Sequence, residues 1–112
     1  MADFQPGDII IVKFPYKEDP TQFKDRPAMV MSKTDQNLYT IAKITTKDRT
    51  RELKGEWIDE RSPEFKMMGI DQPSFIRLED FIKVPKSLIK GKPIGKYPDF
   101  TKLIEVHKLK YI

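Results

Sequence analysis

The sequence predicts a mainly β fold: an antiparallel barrel of roughly five or six strands, partly closed, with one short C-terminal helix. Three observations predict it. Apolar residues alternate within short runs that are bounded by turn formers. Nine prolines stand against five glycines, a punctuation too frequent for long helices. Only near the C-terminus do Phe100, Leu103, Ile104 and His107 share a helical stripe, just after Pro98 and Asp99.

Taken in order, Gly7 and Asp8 launch a first strand, Ile9 to Phe14. Alternation puts Ile10, Val12 and Phe14 on one face and Ile9, Ile11 and Lys13 on the other. Apolar residues on both faces mark a central strand, and Pro15 stops it. Tyr16 to Asp25, with Pro20 and many charged or amide side chains, is expected to be a solvated, mobile loop. Arg26 to Ser32 is the second strand, with Ala28, Val30 and Ser32 alternating against Met29 and Met31. Asp35-Gln36-Asn37 is a turn, Leu38 to Thr46 a third strand, and Lys47 to Lys54 a charged loop.

Glu56 to Ile58 can form a short strand before Ser62-Pro63. A further strand, bounded by Pro73, runs from Ser74 to Glu79 and on towards Val84. Pro85 to Ile89 reads as one short turn with proline at its first position. The final residues, Leu109 to Ile112, alternate well enough to be a strand. No internal repeat, low-complexity tract or linker interrupts the chain.

One hundred and twelve residues suit a single domain over 1–112. Apolar content is 38% and charged content 34%, so a modest core sits under a highly charged surface. With no cysteine, a disulfide, a thiolate metal site and a cysteine nucleophile are excluded. The N-terminus lacks a signal-like apolar run and no segment approaches membrane-spanning length, so a cytoplasmic protein is expected. The net charge of +4, with a pI near 9.2, favours an anionic partner.

Arg26 stands out. The following Pro27 restricts it to extended backbone, so its guanidinium projects with little freedom. Arginine suits a phosphoryl group because its planar fork donates two parallel hydrogen bonds. The plain alternative is a salt bridge with Asp25 or a loop carboxylate. Thr45 and Thr46, closing the third strand, are ordinary β-formers or else hydroxyls for a phosphate oxygen or a ribose 2′-OH. Period-two geometry puts Arg77 and Glu79 on one face, either as a weak exposed ion pair or as a cation beside a proton-accepting carboxylate.

Tyr16 and Phe23 are placed to stack on bases, beside Thr21 and Gln22 in the same segment. Lys13, Lys47, Arg49 and Arg51 could follow a nucleic-acid backbone. His107, the only histidine, sits on the apolar stripe of the terminal helix and reads as structural. A two-histidine ribonuclease mechanism is excluded by count, and neither a three-ligand His/Cys metal site nor a P-loop or dinucleotide fingerprint is present. The chemistry left to the chain needs no metal or other cofactor and runs on arginine, hydroxyl and carboxylate.

Gly7 to Pro15, then a polar loop ending in Gln22 and Arg26-Pro27, then Ala28 to Ser32, resembles the MazF/PemK family of type II toxin–antitoxin toxins. The resemblance continues through Ile44-Thr45-Thr46-Lys47, Gly69-Ile70, Pro73 to Glu79, Lys86 to Ile89 and Ile94-Gly95, covering about residues 6 to 96. It implies an SH3-like barrel of the MazF/PemK/CcdB type, forming a homodimer. It also implies metal-independent, sequence-selective cleavage of single-stranded RNA, mRNA above all, through 2′-OH attack to a 2′,3′-cyclic phosphate. A cognate antitoxin protein would cover the RNA groove.

The family's catalytic arginine and threonine map onto Arg26 and Thr45, and the arginine and acid of its PemK branch onto Arg77 and Glu79. That acid is usually aspartate. Of the family's Gly-Ser-Glu-Gln run in the first loop only Thr21-Gln22 remains. Two alternatives share the barrel: a non-catalytic SH3-like module binding RNA or protein, and a gyrase-poisoning toxin, which lacks the Arg-Pro and Ile-Thr elements.

Overall fold

The computed structural model describes residues 4–16 and 18–109. Its strands are β1 (Asp8–Pro15), β2 (Phe23–Asp35), β3 (Leu38–Thr45), β4 (Gly55–Ile58), β5 (Ser74–Arg77), β6 (Ile82–Pro85) and β7 (Ile89–Lys96). The helices are α1 (Phe65–Met68) and α2 (Phe100–His107), and a single 3₁₀ turn covers Lys86–Leu88. The expected mainly β antiparallel architecture with a C-terminal helix is present. Among the described residues it has seven strands rather than five or six, and the sheet does not close.

The strand order is β4-β5-β3-β2-β1-β7, with β6 also pairing β3. β1, β2 and β3 form the middle of this order because each supplies apolar side chains to both faces. Ile9, Met29, Met31, Ala42 and Ile44 enter one core with Ile58, Met68, Ile76, Leu78, Tyr97 and Leu103. Ile10, Val12, Ala28, Val30, Tyr39 and Ile41 enter a second with Phe4 and Val84. Each fully buried aliphatic side chain contributes about 1.5–3 kcal/mol. A one-residue slip of any middle strand would exchange the two sets, so register is strongly specified.

Strand ends shift by a residue or more in several places, and three differences from the sequence expectation bear on the site. β2 begins at Phe23, not Arg26, because Lys13, Phe14 and Pro15 of β1 pair with Asp25, Lys24 and Phe23. Backbone pairing outweighs the polarity of those side chains. The connection before β2 is therefore shorter than expected, and described residues of it are tied together: Tyr16 N donates to Gln22 O, Gln22 N to Asp19 O, and Thr21 N to the Asp19 carboxylate.

β5 stops at Arg77 instead of running to Glu79, because Asp80 takes a left-handed backbone (φ 53°) and turns the chain before β6. Aspartate tolerates that conformation better than most residues. The third difference is β7, which sequence alternation did not reveal. It pairs with β1 through Asp8↔Lys96, Ile9↔Gly95, Ile11↔Lys90 and Val12↔Ile89, with an irregularity between.

α1 was also unforeseen. It ends on Gly69 (φ +71°) and lies so close to β7 that a Cβ on Gly69 would fall 2.1 Å from the Ile94 carbonyl oxygen. A Cβ on Gly95 would meet the Met68 carbonyl at 2.2 Å. α2 begins where expected: Asp99 caps it by accepting from Lys102 N, and Leu103 is buried. Phe100 and Ile104 pack against the first core, while His107 Nε2 lies 2.6 Å from Glu56 Oε2 on β4. Of the final segment read as a strand, residues 110–112 lie outside the described residues.

Candidate anion-binding cleft

The site follows from where β2 and β3 stop pairing. Their register begins at Ala28↔Lys43, and just beyond it Arg26 on β2 and Thr45 on β3 line one opening. There β2 keeps β1 on one side, with Val12↔Arg26 and Ile11↔Pro27, but β3 no longer bonds to it. Pro27 fits this stretch because a proline has no N–H to donate to a further strand. On its other edge β3 still pairs with β5, through Ile44↔Ile76 and Thr45↔Phe75, which carries Arg77 to the same opening.

A cavity of about 380 Å³ fills that gap, lined by Phe14, Pro15, Arg26, Pro27, Lys43, Ile44, Thr45, Arg49, Leu53 and Arg77. Four cations face it and no carboxylate does. Arg49 is held by Glu52 at 2.9 Å and Arg77 by Asp80 at 2.8 Å. Among the described residues neither Arg26 nor Lys43 has an ion-pair partner, because Asp25 is taken by Lys90 at 2.7 Å. The salt bridge to Asp25 considered from the sequence is thus absent.

Arg77 Nε is buried without a hydrogen-bond partner among the described residues. A buried donor left unpaired is costly unless something accepts from it. Thr45 Oγ1 accepts from Lys47 N at 3.0 Å, which fixes the hydroxyl and leaves its O–H to donate.

Two further cavities adjoin the first, and Arg26 lines all three. One, of about 390 Å³, adds Tyr16, Glu18 and Lys24. The other, of about 250 Å³, adds Ile11, Thr46, Gly69, Ile70, Asp71, Gln72, Ser74 and Ile94.

Of the residues singled out in the sequence, Arg26, Thr45, Thr46, Arg77, Arg49 and Tyr16 therefore line these cavities. Glu79, Lys13, Thr21, Gln22, Phe23, Lys47 and Arg51 do not. Glu79 lies beyond the end of β5, and its Oε1 accepts from Lys54 N at 2.7 Å. It does not share a strand face with Arg77, whose partner is Asp80. Lys13, Lys47 and Arg51 are exposed elsewhere, and Arg51 helps hold the Asp48 carboxyl below its ordinary value, after hydrogen bonds from Thr50. Thr21 is bonded to Asp19, whose carboxyl that bond lowers, and Phe23 starts β2 with its ring half exposed.

Sequence reasoning missed Lys43, although period two from Thr45 would have found it. It also missed Asp71 and Gln72, for which no local pattern gave a signal.

An open antiparallel sheet with a cationic cleft at a strand end defines the class, a small basic β protein whose cleft suits an anion. The family profile described as PemK-like, MazF-like toxin of type II toxin-antitoxin system matches residues 5–108, and the chain belongs to that family. It is thus a type II toxin, of a family whose members are generally endoribonucleases and are paired with an antitoxin partner. No curated protein matches the chain. Among the described residues no helix is long and apolar enough to cross a membrane.

Proposed function

We propose that the chain is a sequence-selective endoribonuclease toxin that cuts single-stranded RNA at the Arg26–Thr45 cleft without a metal. It acts in the cytoplasm as a homodimer, one domain per chain, and an antitoxin segment silences it by covering the cleft. The observation that carries this reading is the convergence of Arg26, Thr45 and Arg77 on one cavity lined by four cations.

In the reaction the ribose O2′ bonds to the adjacent phosphorus and the P–O5′ bond breaks, leaving a 2′,3′-cyclic phosphate and a 5′-hydroxyl. Negative charge grows on the non-bridging oxygens as phosphorus becomes five-coordinate. Arg26 and Arg77 donate to those oxygens through their guanidinium groups, which line the cleft. Preformed donors in a cleft cost little reorganisation, so they stabilise the transition state more than water does. Thr45 O–H bonds the phosphate and aligns it with O2′, where a small misplacement is expensive.

The 2′-OH proton leaves to water, helped by the surrounding positive charge. The departing O5′ takes its proton from Lys43, because an ammonium gives up a proton more readily than a guanidinium. Glu79 acts as a positioning residue: its bond to Lys54 N holds the chain beside Leu53, on the cavity wall.

A second reading, RNA binding without cutting, is favoured by one observation: no carboxylate in the cavity stands ready as a general base. Incubating the purified chain with a long single-stranded RNA in EDTA and mapping the ends separates the two. Cleavage to cyclic phosphates is expected; intact RNA that is nonetheless bound supports the second reading.

A further inference from the structure

The cavity of about 250 Å³ beside the cleft has a role that the chemistry of cleavage does not use. It shares Arg26, Pro27, Ile44 and Thr45 with the cleft, so a phosphate held by Arg26 and Thr45 has this cavity as its immediate neighbour. At that size it lies below the range of drug-sized ligand pockets and suits one planar ring. Ile11, Ile70 and Ile94 give it apolar walls of the kind on which a base face rests.

One rim is polar and fixed. Asp71 and Gln72 stand on the short turn between α1 and β5, and Ser74, only 2% exposed, ties that turn by donating from Oγ to Gln72 O at 2.9 Å. Gly69 holds the other end of the segment against β7.

We infer that this cavity is a nucleobase pocket that selects the base beside the cut, and that Asp71 is its reading residue. The inference rests on the endoribonuclease proposal for its biological meaning. A carboxylate only accepts hydrogen bonds, so it welcomes donors and repels carbonyl oxygens. Cytosine, adenine and guanine each offer an exocyclic amino group, whereas uracil does not. Guanine presents two adjacent donors, N1–H and N2–H, to the two carboxylate oxygens and fits best. Gln72, able to donate and accept, completes the contact with a neighbouring ring atom. Base choice therefore sits in the α1–β5 turn rather than in the connection before β2, which carries little of the family's usual run.

Two measurements test it. Cut sites on a long RNA are mapped for the wild type, Asp71→Ala and Gln72→Ala. The wild type should show amino-bearing bases, guanine above all, at one fixed position beside the cut. Asp71→Ala should lower that preference about 10-fold or more at that position alone. Unchanged preference in Asp71→Ala, or equal loss at every position, overturns the assignment.

Binding of short oligo(dC), oligo(dA) and oligo(dT), which cannot be cut for want of a 2′-OH, is then compared by fluorescence anisotropy. The wild type should discriminate against oligo(dT), and Asp71→Ala should close the gap. If RNA stays uncut but that gap is present, the endoribonuclease reading fails and the pocket stands. If RNA is cut and neither cut sites nor oligomers discriminate, the pocket fails alone.

Discussion

Lys90 Nζ lies 2.7 Å from Asp25 Oδ2, joining β7 to β2 one residue before Arg26. Both side chains are about half exposed, so the pair contributes little to stability. Its effect is on charge near the cleft: the carboxylate adjacent in sequence to Arg26 is neutralised from across β1.

Lys90→Ala should leave the folding free energy within about 1 kcal/mol of wild type. It should nonetheless weaken RNA binding several-fold at low salt, since an uncompensated carboxylate then stands beside the RNA path. Adding Asp25→Ala should recover most of the loss. Titrations of labelled RNA at two ionic strengths check both steps, because an electrostatic effect shrinks with salt.

Glu79 separates positioning from base catalysis. Glutamine keeps a carbonyl oxygen for Lys54 N, so Glu79→Gln should retain most of the cleavage rate with an unchanged pH–rate profile. Glu79→Ala, which loses that bond, should lower the rate by about 10-fold through displacement of the Leu53 wall. A Glu79→Gln enzyme that loses both its rate and the acidic limb of its profile would return the base role to this residue.

Glycine tolerance tests the α1–β7 contact. Gly95→Ala and Gly69→Ala each drive a methyl group into backbone atoms about 2 Å away, and each should cost about 3 kcal/mol or more. Gly91→Ala is the control. It shares a positive φ of 62° but meets nothing within 4 Å, so it should cost only about 1–2 kcal/mol. Urea midpoints of the three variants give the ranking.

Alkaline stability should depend on Tyr97. Burial first, and then the charges of Glu56, Glu64 and Asp99, push its phenol up from 10.0 to about 12. The folded chain holds this proton more tightly than the unfolded one. The stabilisation is therefore complete below the unfolded value and fades as pH rises from about 10 to about 12. Tyr97→Phe has no such proton, so its urea midpoint should fall less steeply over that window.

The sequence carried the middle of the sheet well, since Ile9 to Phe14, Ala28 to Met31 and Leu38 to Thr45 are short, mainly apolar runs bounded by turn formers. An Arg-Pro pair and a hydroxyl at a strand end also pointed to Arg26 and Thr45, which line one cavity. β7 was hidden because Ile89 to Lys96 holds two glycines, a proline and three lysines, and only its pairing with β1 makes it a strand. The Phe23 start of β2 was hidden for the same reason, pairing overriding polarity. The strand face expected to join Arg77 and Glu79 does not form, because period two was extended past Arg77, where the left-handed Asp80 turns the chain. Asp71 and Gln72 gain meaning only from α1 being pressed against β7, a long-range contact with no local trace.

The central claim is that Arg26 stabilises the phosphate as the chain is cut, and single-turnover cleavage of one RNA in EDTA by wild type and Arg26→Ala tests it most directly. Wild type should yield 2′,3′-cyclic phosphate ends, and Arg26→Ala should be slower by about 10²–10³-fold with an unchanged melting transition. A folded Arg26→Ala protein that cuts at the wild-type rate would contradict it.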